Sequence, residues 1–128
     1  VAFALLHRDG VGRAQAKERA VATLAKVRLG ASVAQLRPAE LSGGMQKRVA
    51  LARAIIASPD LIFFDEPTTG LDPITADAVN DLIVEQVKAL GAAAVIITHD
   101  MASVRKVADE VAMLHEGRIV WRGPVSQL

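Results

Sequence analysis

Two short apolar runs constrain this chain more than anything else in it. Leu61, Ile62, Phe63 and Phe64 follow one another without a polar break, and Ala93 to Thr98 is a second run of the same kind. Each suits a strand buried on both faces of a parallel sheet. Between them lies a single helical pattern. Asp72-Pro73 supplies an N-cap and an N1 proline, Val79, Leu82, Ile83, Val87 and Leu90 share one face, and Gly91 caps the end. Strand, helix, strand is a βαβ unit, whose crossover is almost always right-handed. Ligands of open α/β sheets bind at the carboxyl ends of the strands. Asp65-Glu66 follows the first run and Thr98-His99-Asp100 closes the second. Both polar clusters should therefore meet in one place.

Either cluster alone is as readily a set of helix caps with a loop histidine. The stretch Leu41-Ser42-Gly43-Gly44-Met45-Gln46-Lys47-Arg48 shifts the balance. Ser42 is a favoured N-cap, and two glycines let a ligand approach the backbone closely. Met45, Val49, Ala52 and Ile56 then recur as a half-buried helix requires. A helix start with a serine and bare glycine amides is a ready anion site, because free N–H groups and the helix dipole both favour negative charge. A lone Ser-Gly-Gly would mean only a capped helix. Upstream of two convergent polar clusters, it reads as part of a site.

The remainder supplies the frame. Val1 to Leu6 is apolar and breaks at a polar turn, His7-Arg8-Asp9-Gly10. A helix is expected from about Arg13 to Leu29, with Ala20, Leu24 and Val27 on its stripe, Lys17, Glu18 and Arg19 on its solvated face, and Gly30 as C-cap. Pro38 punctuates the next loop. The helix from Ser42 runs to about Ala57, where Ser58-Pro59-Asp60 stops it. Beyond the second strand, Ala102 to Val107 is a short helix. Val111 to Leu114 and Arg118 to Trp121 flank a Glu116-Gly117 turn as a closing hairpin. The expected class is α/β, with a helical piece over about 1–59 joined to a sheet-bearing part over about 60–128.

With 128 residues, the chain is one domain or part of one, and 52% apolar residues exclude disorder. A formal charge of +1 predicts neither a nucleic-acid surface nor a polybasic membrane patch. The absence of cysteine excludes disulfides and thiolate metal sites, and fits a reducing cytoplasm. The apolar run Ala92 to Ile97 is too short to span a bilayer, and Val1 to Leu6 is too short for a signal peptide. Without an initiator methionine, the chain reads as the inside of a longer protein.

Leu41 to Arg48 resembles the signature motif of the ATP-binding-cassette (ABC) ATPases. Leu61-Ile62-Phe63-Phe64-Asp65-Glu66-Pro67 resembles their Walker B strand with its glutamate, Leu71-Asp72 their D-loop and His99 their switch histidine. These motifs stand in the family's order across nearly the whole chain. The resemblance implies a P-loop NTPase-like parallel sheet with an ABC-type helical subdomain, hydrolysing ATP with Mg²⁺ to drive transport. It implies Asp65 as the Mg²⁺ partner through water, Glu66 as general base for a lytic water and His99 as a hydrogen-bond partner of the γ-phosphate. It further implies a head-to-tail dimer with a second cassette. There Ser42, Gly43, Gly44, Met45 and Gln46 would face the partner's ATP, and Leu71 and Asp72 would communicate across the interface.

The phosphate-cradling pattern G-x-x-x-x-G-K-[ST] occurs nowhere in the chain. By the resemblance it would precede Val1, and the chain alone is expected to bind ATP poorly and to be inactive. Met45, Asp72-Pro73-Ile74-Thr75 and the helix after them most resemble ATPases of the Mla-type phospholipid and organic-solvent-tolerance transporters. Such systems imply a membrane permease, a periplasmic lipid-binding subunit and a small regulatory subunit as partners. They also imply a cytoplasmic place on the inner face of the cell membrane. A soluble ABC ATPase acting on ribosomes or DNA would carry the same motifs, usually with tandem cassettes or basic arms. A non-catalytic cassette fragment is the third reading, and the presence of Asp65, Glu66 and His99 together argues against it.

Overall fold

The computed structural model describes residues 1–7 and 11–128. Helix α1 (Phe3–His7) leads to α2 (Arg13–Lys26), and the polar turn expected between them lies, past His7, outside the described residues. Short 3-10 turns at Ala31–Gln35 and Pro38–Glu40 precede α3 (Gly43–Ile55). Then come β1 (Leu61–Asp65), α4 (Pro73–Leu90), β2 (Ala93–Ile97), α5 (Met101–Val107), β3 (Glu110–His115) and β4 (Arg118–Pro124).

Local chemistry explains most of the boundaries. Ser42 caps α3, its Oγ accepting the Met45 N–H at 3.3 Å, and Ser58 turns the chain away at a φ of 47° just before Pro59. Asp72 caps α4 by accepting the Ile74 and Thr75 N–H groups, and Gly91 ends it in the left-handed conformation at a φ of 63°. Glu116 and Gly117 are both left-handed, as a two-residue hairpin turn between twisted strands requires. The hairpin carries an irregularity between Met113 and Leu114, which pair with Trp121 and Ile119 and so leave Val120 without an opposite residue.

One cap differs from the expectation. Gly30 does not end α2: Arg28 adopts the left-handed conformation instead, at a φ of 57°. The Arg28 and Leu29 N–H groups bond to the Ala25 and Leu24 carbonyls, which is the Schellman pattern. Leu29 and Leu24 are buried in the same cluster. Burial of Leu29 fixes the turn two residues earlier than the glycine would. Arg28 in turn reaches Glu85 on α4 at 3.1 Å.

Strands β1 and β2 pair in parallel, Leu61 opposite Ala93 through Asp65 opposite Ile97. With α4 between them they form the expected βαβ unit. Their burial is another departure. Ile62 and Phe64 are 4% and 8% exposed, but Leu61 and Phe63 are 47% and 68% exposed, and Val95 and Ile97 in β2 are open to solvent as well. Only one face is covered, because the packing partners of β1 in the core, α3 and α4, meet the Ile62 and Phe64 side. That core joins Leu24, Val27 and Leu29 to Leu51, Ala52 and Ile55 of α3 and to Val79, Leu82 and Ile83 of α4. Burying each larger aliphatic side chain there contributes about 1.5–3 kcal/mol. The core holds α3 against the β1–α4 connection, and that connection carries the site.

Candidate functional site

The site begins where β1 stops. Glu66 extends the ladder by one bond, its N–H donating to the Ile97 carbonyl at 2.9 Å. It then turns sharply, with a φ of 47°. A non-glycine residue held there costs of order 1–3 kcal/mol and persists only where its surroundings enforce it. The enforcement is visible on every side. The Glu66 carbonyl accepts from Lys47 Nζ at 2.8 Å and from the Thr69 N–H at 3.4 Å. Its carboxylate accepts the Thr69 hydroxyl at 2.6 Å, lies 2.8 Å from His99 Nδ1 and receives a longer bond from the Thr98 hydroxyl at 3.5 Å. The two polar clusters read from the sequence therefore meet, as a Glu66–His99 pair across adjacent strand ends.

The Thr69 hydroxyl first, and His99 second, hold the Glu66 carboxyl below the usual carboxylate range. The hydrogen bond to Glu66, reinforced by its charge and then by Asp100, raises His99 above an ordinary histidine. The sign follows for each partner. The raised His99 adds stability that is complete below its unfolded pKa and is lost as pH rises through its folded value. The lowered Glu66 adds stability that is complete above its unfolded pKa and is lost as pH falls through its folded value. The ion pair is therefore intact across the window between the two. An NMR titration of the His99 ring is expected to give a midpoint above the ordinary value of about 6.5, and Glu66→Gln to bring it back. A midpoint at or below the ordinary value would show the pair to be absent in solution.

A cleft of about 560 Å³ opens beside this pair, lined among others by Thr69, Leu71, Asp77, Asn80, His99 and Asp100. Its back wall is a hydrogen-bonded chain. Asp100 caps α5 and accepts the Ser103 hydroxyl at 2.6 Å, which with the Ala102 and Ser103 N–H groups holds its carboxyl low. Ser103 accepts from Asn80 Nδ2 at 2.8 Å and lies 3.4 Å from the Thr68 hydroxyl. The turn after β1, the helix α4 and the start of α5 are thus joined behind the cleft.

Asp65 lies apart from it. Asp65 lines a different cleft, of about 370 Å³, with Lys47 and Arg53. Among the described residues its carboxylate has no hydrogen-bond or ion-pair partner, and no group of three or more metal-ligating side chains forms. A lone, open carboxylate fits Mg²⁺, which commonly takes one or two carboxylates and fills its shell with phosphate and water.

The signature stretch is a third locus. Ser42 and Gly43 are exposed at the start of α3. Gly44 is buried there, and a Cβ on it would lie 2.6 Å from Thr75 Cγ2. The second glycine thus serves close packing against the start of α4, and only the first stands open to a ligand. Met45 packs on the core, and Gln46 turns back to donate to the Leu41 carbonyl at 3.1 Å. Leu71 lies beside Gly43, and Asp72 is occupied as the α4 cap, its carboxyl lowered chiefly by Thr75. Among the described residues, no hydrogen bond joins Ser42 through Gln46 to Asp65, Glu66 or His99. The bridge is Lys47, to which the sequence alone assigned no role of its own. Thr69 was missed too, since nothing in Thr68-Thr69-Gly70 signals that one hydroxyl turns back on Glu66.

Known proteins resemble this chain in sequence and in fold. The ABC transporter family pattern matches residues 4–69. The intermembrane phospholipid transport system ATP-binding protein MlaF of Escherichia coli (strain K12) is 48% identical over 95 residues, covering 74% of the chain and 35% of the relative. The methionine import ATP-binding protein MetN 1 of Rhodococcus jostii (strain RHA1) is 43% identical over 119 residues, covering 93% and 35%. The ATP-binding cassette MJ0796, solved as a dimer in a post-hydrolysis state with ADP and Pi, superposes with a TM-score of 0.84 at 29% identity, over 98% of the chain and 54% of the cassette. The chain thus spans about a third of the length of these curated relatives. With the family pattern running unbroken from α1 to the turn that carries Glu66, and a solved cassette following nearly every residue, the chain belongs to the ABC transporter family.

Proposed function

We propose that this chain is the part of an ABC transporter's nucleotide-binding subunit that carries the signature, Walker B, D-loop and switch residues, and that the whole subunit hydrolyses ATP. The observation that carries the reading is the Glu66–His99 pair at the ends of adjacent parallel strands, 2.8 Å apart. Arrival of nucleotide would exchange that mutual bond for two new ones. His99 would donate to the γ-phosphate, and Glu66, released, would take the proton of the water that attacks phosphorus as the bond to ADP breaks. Asp65 would hold Mg²⁺ through water, and the ion when bound would neutralise phosphate charge. Ser42, Gly43 and the rest of the signature would act on the ATP of a second cassette. The dimeric, ADP- and Pi-bound state of the similar cassette supports that assembly.

The uncovered face of β1 and β2 supports the same reading. Parallel sheets are buried on both sides, so Leu61, Phe63, Val95 and Ile97 call for cover. We assign that cover to the remainder of the cassette, with the phosphate-binding loop. The subunit would sit on the cytoplasmic face of the membrane against a permease.

Phospholipid is the proposed cargo, with a periplasmic lipid-binding subunit and a small regulatory subunit as further partners. The similarity to MlaF supports it. Methionine is the second reading, favoured by the longer match to MetN 1. The full-length subunit, assembled with its permease in vesicles, separates the two. ATP-dependent transfer of a fluorescent phospholipid, with no uptake of labelled methionine, is the expected outcome, and the reverse pattern overturns it.

A further inference from the structure

The bond from Lys47 to Glu66 has a chemistry of its own. Lys47 and Asp65 line the same cleft, yet they form no ion pair. The Lys47 ammonium instead donates to the main-chain carbonyl of Glu66 at 2.8 Å. That carbonyl belongs to the residue whose φ is 47°, and the Thr69 N–H reaches it only at 3.4 Å. The strong bond on this peptide oxygen is therefore the charged one, and charge-assisted hydrogen bonds are roughly twice as strong as neutral ones. The left-handed turn in turn aims the carboxylate at Thr69 and His99. Without the ammonium, the backbone of Glu66 is freer to relax toward the conformations an L-residue prefers, and the carboxylate moves with it.

The helix supplying the ammonium is the one whose first turn bears Ser42 and Gly43. The same first turn abuts the start of α4 through Gly44 and Thr75. The segment from Glu66 to Thr75 is thus fastened to α3 at both ends, once by packing and once by charge.

We propose that Lys47 is a positioning residue for Glu66, setting the direction of its carboxylate through the Glu66 carbonyl and so tying it to the signature helix. This rests on the proposed role of Glu66 in hydrolysis. Lys47 touches no reacting atom. Its effect passes entirely through the turn.

The test uses the full-length protein and ATP. Lys47→Ala is expected to lower kcat roughly 10- to 100-fold, the scale of a misplaced catalytic group, with KM for ATP and nucleotide affinity within about twofold of the parent. Lys47→Arg, which keeps a charged donor, is expected to recover much of the rate, and Lys47→Gln serves in place of Lys47→Ala if that variant does not fold. The double variant with Glu66→Gln decides the route. If Lys47 acts only through Glu66, the double variant is no slower than Glu66→Gln alone. A parental kcat in Lys47→Ala, a further multiplicative loss in the double variant, or a loss of ATP affinity that Lys47→Arg does not mend overturns the proposal. A parental rate in Glu66→Gln by itself is a different failure, since it removes the role of Glu66 and that of Lys47 with it.

Discussion

Glu66→Gln in the full-length protein is expected to reduce ATP hydrolysis by roughly 10²–10⁴-fold while leaving ATP binding intact. The substitution suits the site's geometry. Glutamine has one amide oxygen where the carboxylate has two, so it can accept from His99, 2.8 Å from one oxygen position, while its NH2 takes the other position and donates to the Thr69 hydroxyl oxygen, 2.6 Å away. The left-handed turn and its bonds from Lys47 and Thr69 are made by the main chain, so they survive. What disappears is the oxygen able to take a proton from water. In the proposed dimer, ATP should then hold the two cassettes closed, because the γ-phosphate proposed to join them is no longer removed. Stopped-flow binding and steady-state hydrolysis on the same preparation separate the two effects. Near-parental turnover, or loss of nucleotide binding, would remove Glu66 as the base.

His99 gives that experiment a second reading. The histidine is raised because Glu66 accepts from it and is charged. With glutamine in place, the charge is gone and the hydrogen bond is a weaker, neutral one, so the ring should titrate lower, back toward an ordinary histidine. Loss of hydrolysis together with this return would tie both effects to the one carboxylate.

The convergence of Glu66 and His99 was legible before any coordinates. It follows from where a parallel sheet leaves its strand ends, and two apolar runs with one helix between them are enough to place both clusters. Caps were legible for the same kind of reason. Ser42, Asp72, Gly91 and Glu116-Gly117 act through short-range backbone geometry, so a few residues of sequence contain the whole cause.

Features set by distant packing were not legible. Nothing near Arg28 shows that burial of Leu29 would move the end of α2 ahead of Gly30. The apolar run of β1 says that both faces can be buried, not that α3 and α4 meet only one of them. The two signature glycines look equivalent as letters, yet Gly43 is open and Gly44 is pressed against Thr75. Lys47 and Thr69 were hidden for a further reason. Both act on a left-handed turn at a glutamate, and no glycine stands at 66 to announce it.

A mixture of two crippled subunits is the strongest check on how Ser42 and Asp65 divide their work. Ser42→Arg puts a bulky cation on an exposed helix start proposed to meet the partner's ATP. It is expected to abolish dimer closure and hydrolysis while each subunit still binds nucleotide. Ser42 also caps α3 through the Met45 N–H at 3.3 Å. Losing that cap costs about 1 kcal/mol by itself, so Ser42→Ala is the control, and its hydrolysis should fall far less. Asp65→Ala, by contrast, should weaken the Mg²⁺ dependence within each subunit, since the carboxylate faces its own cleft beside Lys47 and Arg53. Neither single variant should hydrolyse ATP as a homodimer. In the mixed dimer, Ser42 of one copy is proposed to face Asp65 of the other, so both lesions fall in one composite site and the second site is whole. Partial hydrolysis should then return, which a variant carrying both changes on every copy cannot show. A mixture as inactive as that double variant would speak against two independent composite sites. A clear loss of ATP affinity in the Ser42→Arg monomer would end the trans assignment outright, because Ser42 would then be touching the nucleotide of its own chain.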